Sequence, residues 1–112
     1  MNSAYEKYFK SDIEQFEKSL KSIDVKQMDA LVNACENTLK TGHKIIASGL
    51  GKNVPICDKF VGTMLSMGLD ANFLHTNTAV HGDMGMVKTG DLVIVLTKSG
   101  ATAESVYLVD LL

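Results

Sequence analysis

The sequence predicts an α/β fold, a three-layer α/β/α arrangement around a parallel sheet, and three features carry that expectation. Residues 44–48 and 92–97 are short apolar runs next to glycine or turn residues, the pattern of strands buried on both faces. Each run is followed by a glycine turn and then by apolar residues at helical spacing. Enough chain separates the strands for crossover connections, which parallel pairing requires.

Two helices are expected before the first strand. From Tyr5 the apolar residues Phe9, Ile13, Phe16 and Leu20 recur at helical spacing, with Glu6, Lys7, Lys10, Asp12 and Lys18 on the other faces. Asp24 followed by Gln27 resembles a capping box, and Met28, Leu31, Val32, Cys35 and Leu39 form a second stripe that ends near Gly42. A helical hairpin over about residues 1–42 thus leads into an α/β part over about residues 43–112, the whole forming one domain.

Residues 44–48 give the first strand and 49–52 a turn. Pro55 suits the first turn of the following helix, whose apolar face is Ile56, Phe60, Met64 and Met67 up to Gly68. Residues 71–74 give a second strand and 92–97 a third. The chain then turns at Ser99 and Gly100 and enters a helix through Glu104, Val106, Leu108 and Leu111. That helix is still writing its apolar face at Leu112, so the fold is expected to be incomplete at its C-terminus or completed by another chain.

Composition excludes several function classes. With 46% hydrophobic and 21% charged residues the chain is an ordinary globular one. A formal net charge of -2 leaves no basic footprint for a nucleic acid. No apolar run approaches the roughly 20 residues that cross a bilayer. Cys35 and Cys57 form no CxxC pair and no secretory signal is visible, so both read as reduced thiols in a cytoplasmic protein. His75 and His81 lack metal-ligand spacing, and neither a metal nor an organic cofactor is expected.

Three segments carry candidate chemistry. Ser48, Gly49, Leu50, Gly51 and Lys52 form a strand-to-helix turn in which glycine permits a tight bend and amides at the helix start face an anion. The same turn is equally a packing solution. It matches neither nucleotide fingerprint, because Val54 replaces the third glycine of GxGxxG and Ile46 stands where a P-loop has its first glycine. The second segment runs from Thr97 through Lys98, Ser99, Gly100, Ala101, Thr102 and Ala103 to Glu104 and gathers hydroxyls and amides at the next junction, although helix capping alone also explains Ser99 and Thr102. Parallel strands bring both junctions to one edge of the sheet.

The third segment is Thr78, Ala79, Val80, His81, Gly82, Asp83, Met84, Gly85 and Met86, read as a loop after the second strand. A lone histidine in a loop is more often structural than catalytic. Asp83 either orients His81 or serves as a turn residue. His43 and His75 read as structural, and Met64, Met67, Met84 and Met86 as core filler.

Taken together, the strand-turn block, HGDMGM and the Ser-Gly-x-Thr-x-Glu block resemble the sugar isomerase (SIS) domain of the arabinose-5-phosphate isomerase family, over roughly residue 40 to the end. The resemblance implies interconversion of D-ribulose 5-phosphate and D-arabinose 5-phosphate, with a small-molecule phosphosugar as partner. Carried over by position, Lys52, His81 and Glu104 would be catalytic, and Ser48, Ser99 and Thr102 would surround the substrate. Gly49, Gly51 and Gly100 complete the cradles.

The chain departs from the family at Lys98, where Asn is usual, at Ala101, often Glu, and at Asn53, commonly Ser. A further glutamate and histidine of the family fall past Leu112. The resemblance also implies homodimers or homotetramers. Two other readings remain open: a phosphosugar-sensing module without catalysis, and an assembly element.

Overall fold

The computed structural model describes residues 2–100 and 102–112. They divide into two compact units, one up to Val32 and one from Asn33 onward. The boundary falls inside the second helix.

The first unit holds α1 (Ser3–Lys21) and the opening of α2 (Val25–Lys40). Asn2 caps α1, its side-chain oxygen accepting from the Ala4 amide at 2.9 Å. Asp24 caps α2 by accepting from the amides of Lys26 at 2.9 Å and Gln27 at 3.3 Å. Both amides belong to the first turn, where no helical carbonyl is available to them. Residues 2–33 are all exposed, the apolar stripe of α1 included, and Phe16 shows 71% of its surface.

The second unit begins with the end of α2. Gly42 takes φ +80, and the amides of Gly42 and His43 donate to the carbonyls of Leu39 and Thr38, a glycine-closed helix end. Next come β1 (Ile45–Gly49), α3 (Asn53–Ser66) and β2 (Ala71–His75). A short helix α4 (Thr76–Val80), a 3-10 turn (Asp83–Met86), β3 (Leu92–Val95) and α5 (Ala103–Leu111) complete the order. The strand order is β2-β1-β3, with both pairings parallel. Ile45 lies opposite Ala71 on one side and Leu92 on the other, as expected from the apolar runs.

As the central strand, β1 is buried along its whole length. Its alternate residues feed two cores. Ile46 packs with Leu74, Ala79 and Leu108 beneath α4 and α5, while Ala47 packs with Cys57, Val61 and Ala71 beneath α3. Helices therefore cover both faces of the sheet, which is why the central run carries no polar alternation. Among the described residues no helix is long and apolar enough to cross a membrane.

The N-terminal edge of the sheet is clasped by Asp91. Its carboxylate is 2% exposed and pairs with the Lys44 ammonium, and it accepts from the amides of Lys44 at 3.1 Å and Lys88 at 2.8 Å. Burial raises its pKa, but the Lys44 hydrogen bond and the two amides outweigh that effect and hold the group at about 2. The clasp joins the starts of β1 and β3, at the edge opposite the candidate chemistry.

One segment differs from the sequence expectation. Within residues 78–86, read as a loop, the part up to Val80 belongs to α4 and Asp83–Met86 form the 3-10 turn. Five helical residues span too little chain for a periodic apolar pattern, so only their packing reveals them.

Candidate functional site

The carboxyl ends of parallel strands are where an open α/β sheet presents its loops to a ligand. Here β1 leads to Lys52, β2 leads through α4 to His81, and β3 leads to Ser99, Gly100, Thr102 and Glu104. Because β1 pairs parallel with both β2 and β3, all three predicted segments leave from one sheet edge.

At the first junction Gly49 is dictated by close approach. A Cβ there would lie 3.0 Å from Asn53 Cβ and 3.1 Å from Cys57 Sγ, so α3 could not start so near the strand end. Gly51 takes φ +59, where other residues are strained. The amides of Asn53 and Val54 donate to the carbonyls of Leu50 and Gly51, at 3.2 and 3.1 Å, and Pro55 has no amide hydrogen. The first turn of α3 is thus largely satisfied, contrary to the expectation of free amides at the helix start. The Leu50, Gly51 and Lys52 amides carry no hydrogen bond among the described residues. Amides open to a ligand at this junction therefore lie in the turn and not in the helix. Lys52 is exposed and adopts the N-cap position without a side-chain cap.

Ser48 stands differently. Its side chain is fully buried and its hydroxyl lies 2.9 Å from that of Thr76, also fully buried. Sequence reasoning passed over Thr76, because the two residues meet only through the pairing of β1 with β2.

At the end of β2, His75 Nδ1 accepts from the Asn77 amide at 3.1 Å and caps α4, and its ring meets Phe73 edge-on at 6.3 Å. That agrees with a structural reading of His75. His81 closes α4 and is exposed. No hydrogen bond joins it to Asp83 among the described residues; Asp83 instead opens the 3-10 turn after Gly82 at φ +134.

At the third junction Thr97 organises the turn. Its hydroxyl accepts from the Gly100 amide at 3.3 Å and lies 3.4 Å from the Thr102 hydroxyl, while Gly100 takes φ +73. Thr102 is the N-cap of α5, yet its side chain caps none of the helix amides. Glu104 sits exposed in the first turn of α5, and Ser99 is exposed in the turn. Ala101 lies outside the described residues. No group of three or more His, Cys, Asp or Glu side chains is gathered as a metal site would require, among the described residues.

The sheet edge thus carries, among the described residues, a turn with unbonded amides after β1, and the segments that leave it bear an amine, an imidazole and a carboxylate. Those are the groups needed to hold a phosphate and to move a proton on an attached carbon chain.

Comparison with known proteins is consistent with that inventory. The chain is 39% identical over 84 residues to the arabinose 5-phosphate isomerase KdsD of Pseudomonas aeruginosa, covering 75% of this chain and 26% of that protein. It is 36% identical over 107 residues to KdsD of Francisella tularensis, covering 93% of this chain and 31% of the relative. The chain therefore spans about a quarter to a third of these relatives. Among solved structures, the c3406 protein of E. coli CFT073 in complex with arabinose 5-phosphate superposes with a TM-score of 0.78 at 27% identity, over 98% of this chain and 58% of that one. The SIS domain model matches residues 38–112, the part that holds the whole sheet and every candidate site residue, and the chain belongs to the SIS domain family.

Proposed function

We propose that this chain forms the phosphosugar-binding part of an aldose-ketose isomerase that interconverts D-ribulose 5-phosphate and D-arabinose 5-phosphate. The carrying observation is the shared sheet edge from which the Lys52, His81 and Glu104 segments all depart. The named relatives and the neighbour bound to arabinose 5-phosphate support the choice of sugar phosphate.

In this reading the phosphate is held by the turns at Gly49 and Gly51 and at Ser99, Gly100 and Thr102. Ser48 supports the first turn from beneath. Glu104 removes the proton from C1 of the ketose, giving an enediol, and the proton returns at C2 to give the aldose. The carbonyl oxygen gains a proton as the neighbouring hydroxyl loses one. Lys52 or His81 donates to the developing oxyanion. The protein works in the cytoplasm as a homodimer or homotetramer, and its cysteines stay reduced there.

Replacing Glu104 by Gln keeps the shape and removes the base. In the natural protein the Glu104→Gln variant is expected to bind D-arabinose 5-phosphate with native affinity and to lose turnover by at least about a hundredfold. Native turnover would remove Glu104 from the mechanism. Tight binding without turnover in the unmodified protein would favour the sensing module, a reading to which the exposed position of Glu104 also lends itself.

A further inference from the structure

Among the described residues, Ser48 and Thr76 form the one side-chain hydrogen bond in which both residues are fully buried. Ser48 precedes the Gly49 turn, and Thr76 is the first residue of α4, which ends at Val80 just before His81. On its other side α4 packs against α5, with Ala79 and Leu108 sharing one core. The first turn of α5 carries Glu104. The bond thus ties the first segment to α4, and apolar packing joins α4 to α5.

We infer that Ser48 and Thr76 are a positioning pair that sets α4, and through it His81 and the start of α5, against the 49–52 turn. This rests on the phosphosugar reading for its kinetic consequence only. Strand pairing fixes β2 up to His75, opposite Gly49, but does not fix the angle at which the chain leaves the sheet. Apolar packing is non-directional and would tolerate rotation of so short a helix. A hydrogen bond holds both distance and direction, and burial makes its loss costly because neither hydroxyl can turn to water. Two apolar side chains of similar shape would fill the same space without that constraint. Neither hydroxyl is therefore assigned to the ligand.

The test uses the natural protein carrying Ser48→Ala and Thr76→Val together, which removes both hydroxyls and leaves none unpaired. Amide exchange across residues 76–86 is expected to quicken about tenfold, with β1 amides unchanged. Turnover of D-ribulose 5-phosphate should show kcat down about tenfold with KM within about twofold. Thr76→Ser, which keeps a hydroxyl, should retain native exchange and turnover. Native exchange over 76–86 in the double variant overturns the proposal, and so does uniform quickening that includes β1. If the double variant does not fold, Thr76→Val alone is read by the same exchange criterion. If the unmodified protein isomerises no phosphosugar, the isomerase reading fails while the exchange result still decides the role of the pair.

Discussion

Asp91→Asn separates the stability of the sheet from the candidate site at its other end. The Asp91 carboxylate is 2% exposed, pairs with Lys44 and accepts two backbone amides. Its pKa falls from the ordinary 3.8 to about 2 in the folded chain. A depressed folded value means that the unfolded chain binds the proton more readily, so the contribution is complete above about pH 5 and is lost as pH falls through about 2. The gap is worth about 1–2 kcal/mol once solvent screening near the sheet edge is allowed for. Asn cannot supply the charge, and it leaves the Lys44 ammonium without its partner. Urea unfolding from pH 7 down to pH 2 should therefore show the variant less stable by about 1–3 kcal/mol at pH 7, with the two curves drawing together below about pH 5 and nearly meeting by about pH 2. Phosphosugar affinity of the folded variant should be unchanged, since the clasp is remote from the strand ends that bear the site. A stability difference that stays constant across the pH range would refute the electrostatic explanation, and a loss of affinity at native stability would refute the separation of the two edges.

Local geometry sets three further expectations. Gly49→Ala forces a Cβ to 3.0 Å from Asn53 and should lower stability by about 1–3 kcal/mol in thermal unfolding, with weaker phosphosugar binding by calorimetry as α3 shifts away from the turn. His75→Ala removes the cap on α4, and a loss of about 0.5–2 kcal/mol in urea unfolding is expected, with exchange quickened at the Asn77 amide. Ile46→Ala empties a fully buried position in the central strand and should cost about 2–5 kcal/mol by the same measurement.

The fold was legible in the sequence where one physical demand fills a segment. The central strand is buried on both faces, so Ile45, Ile46 and Ala47 form an unbroken apolar run that admits little else. Helix ends were legible through Asp24 and Gly42, because capping and positive φ restrict the residue type. The clasp was not, since Asp91 next to Gly90 reads as a turn residue until the pairing of Ile45 with Leu92 brings Lys44 beside it. The family was legible as motifs, HGDMGM above all. What the motifs did not convey was the direction of the polar groups. The resemblance implies Ser48 as a hydroxyl near the phosphosugar, and the fold adds its bond to Thr76, 28 residues away. The free amides likewise belong to the 50–52 turn and not to the start of α3.

An enediol formed at this sheet edge would take up its carbon-bound proton from a base that exchanges with solvent. Incubating the natural protein with D-ribulose 5-phosphate in D2O and following the sugar by NMR shows whether it does. The expected result is formation of D-arabinose 5-phosphate with solvent deuterium at C2, abolished by Glu104→Gln. Saturable binding of either sugar phosphate with neither conversion nor deuterium incorporation would contradict the isomerase reading.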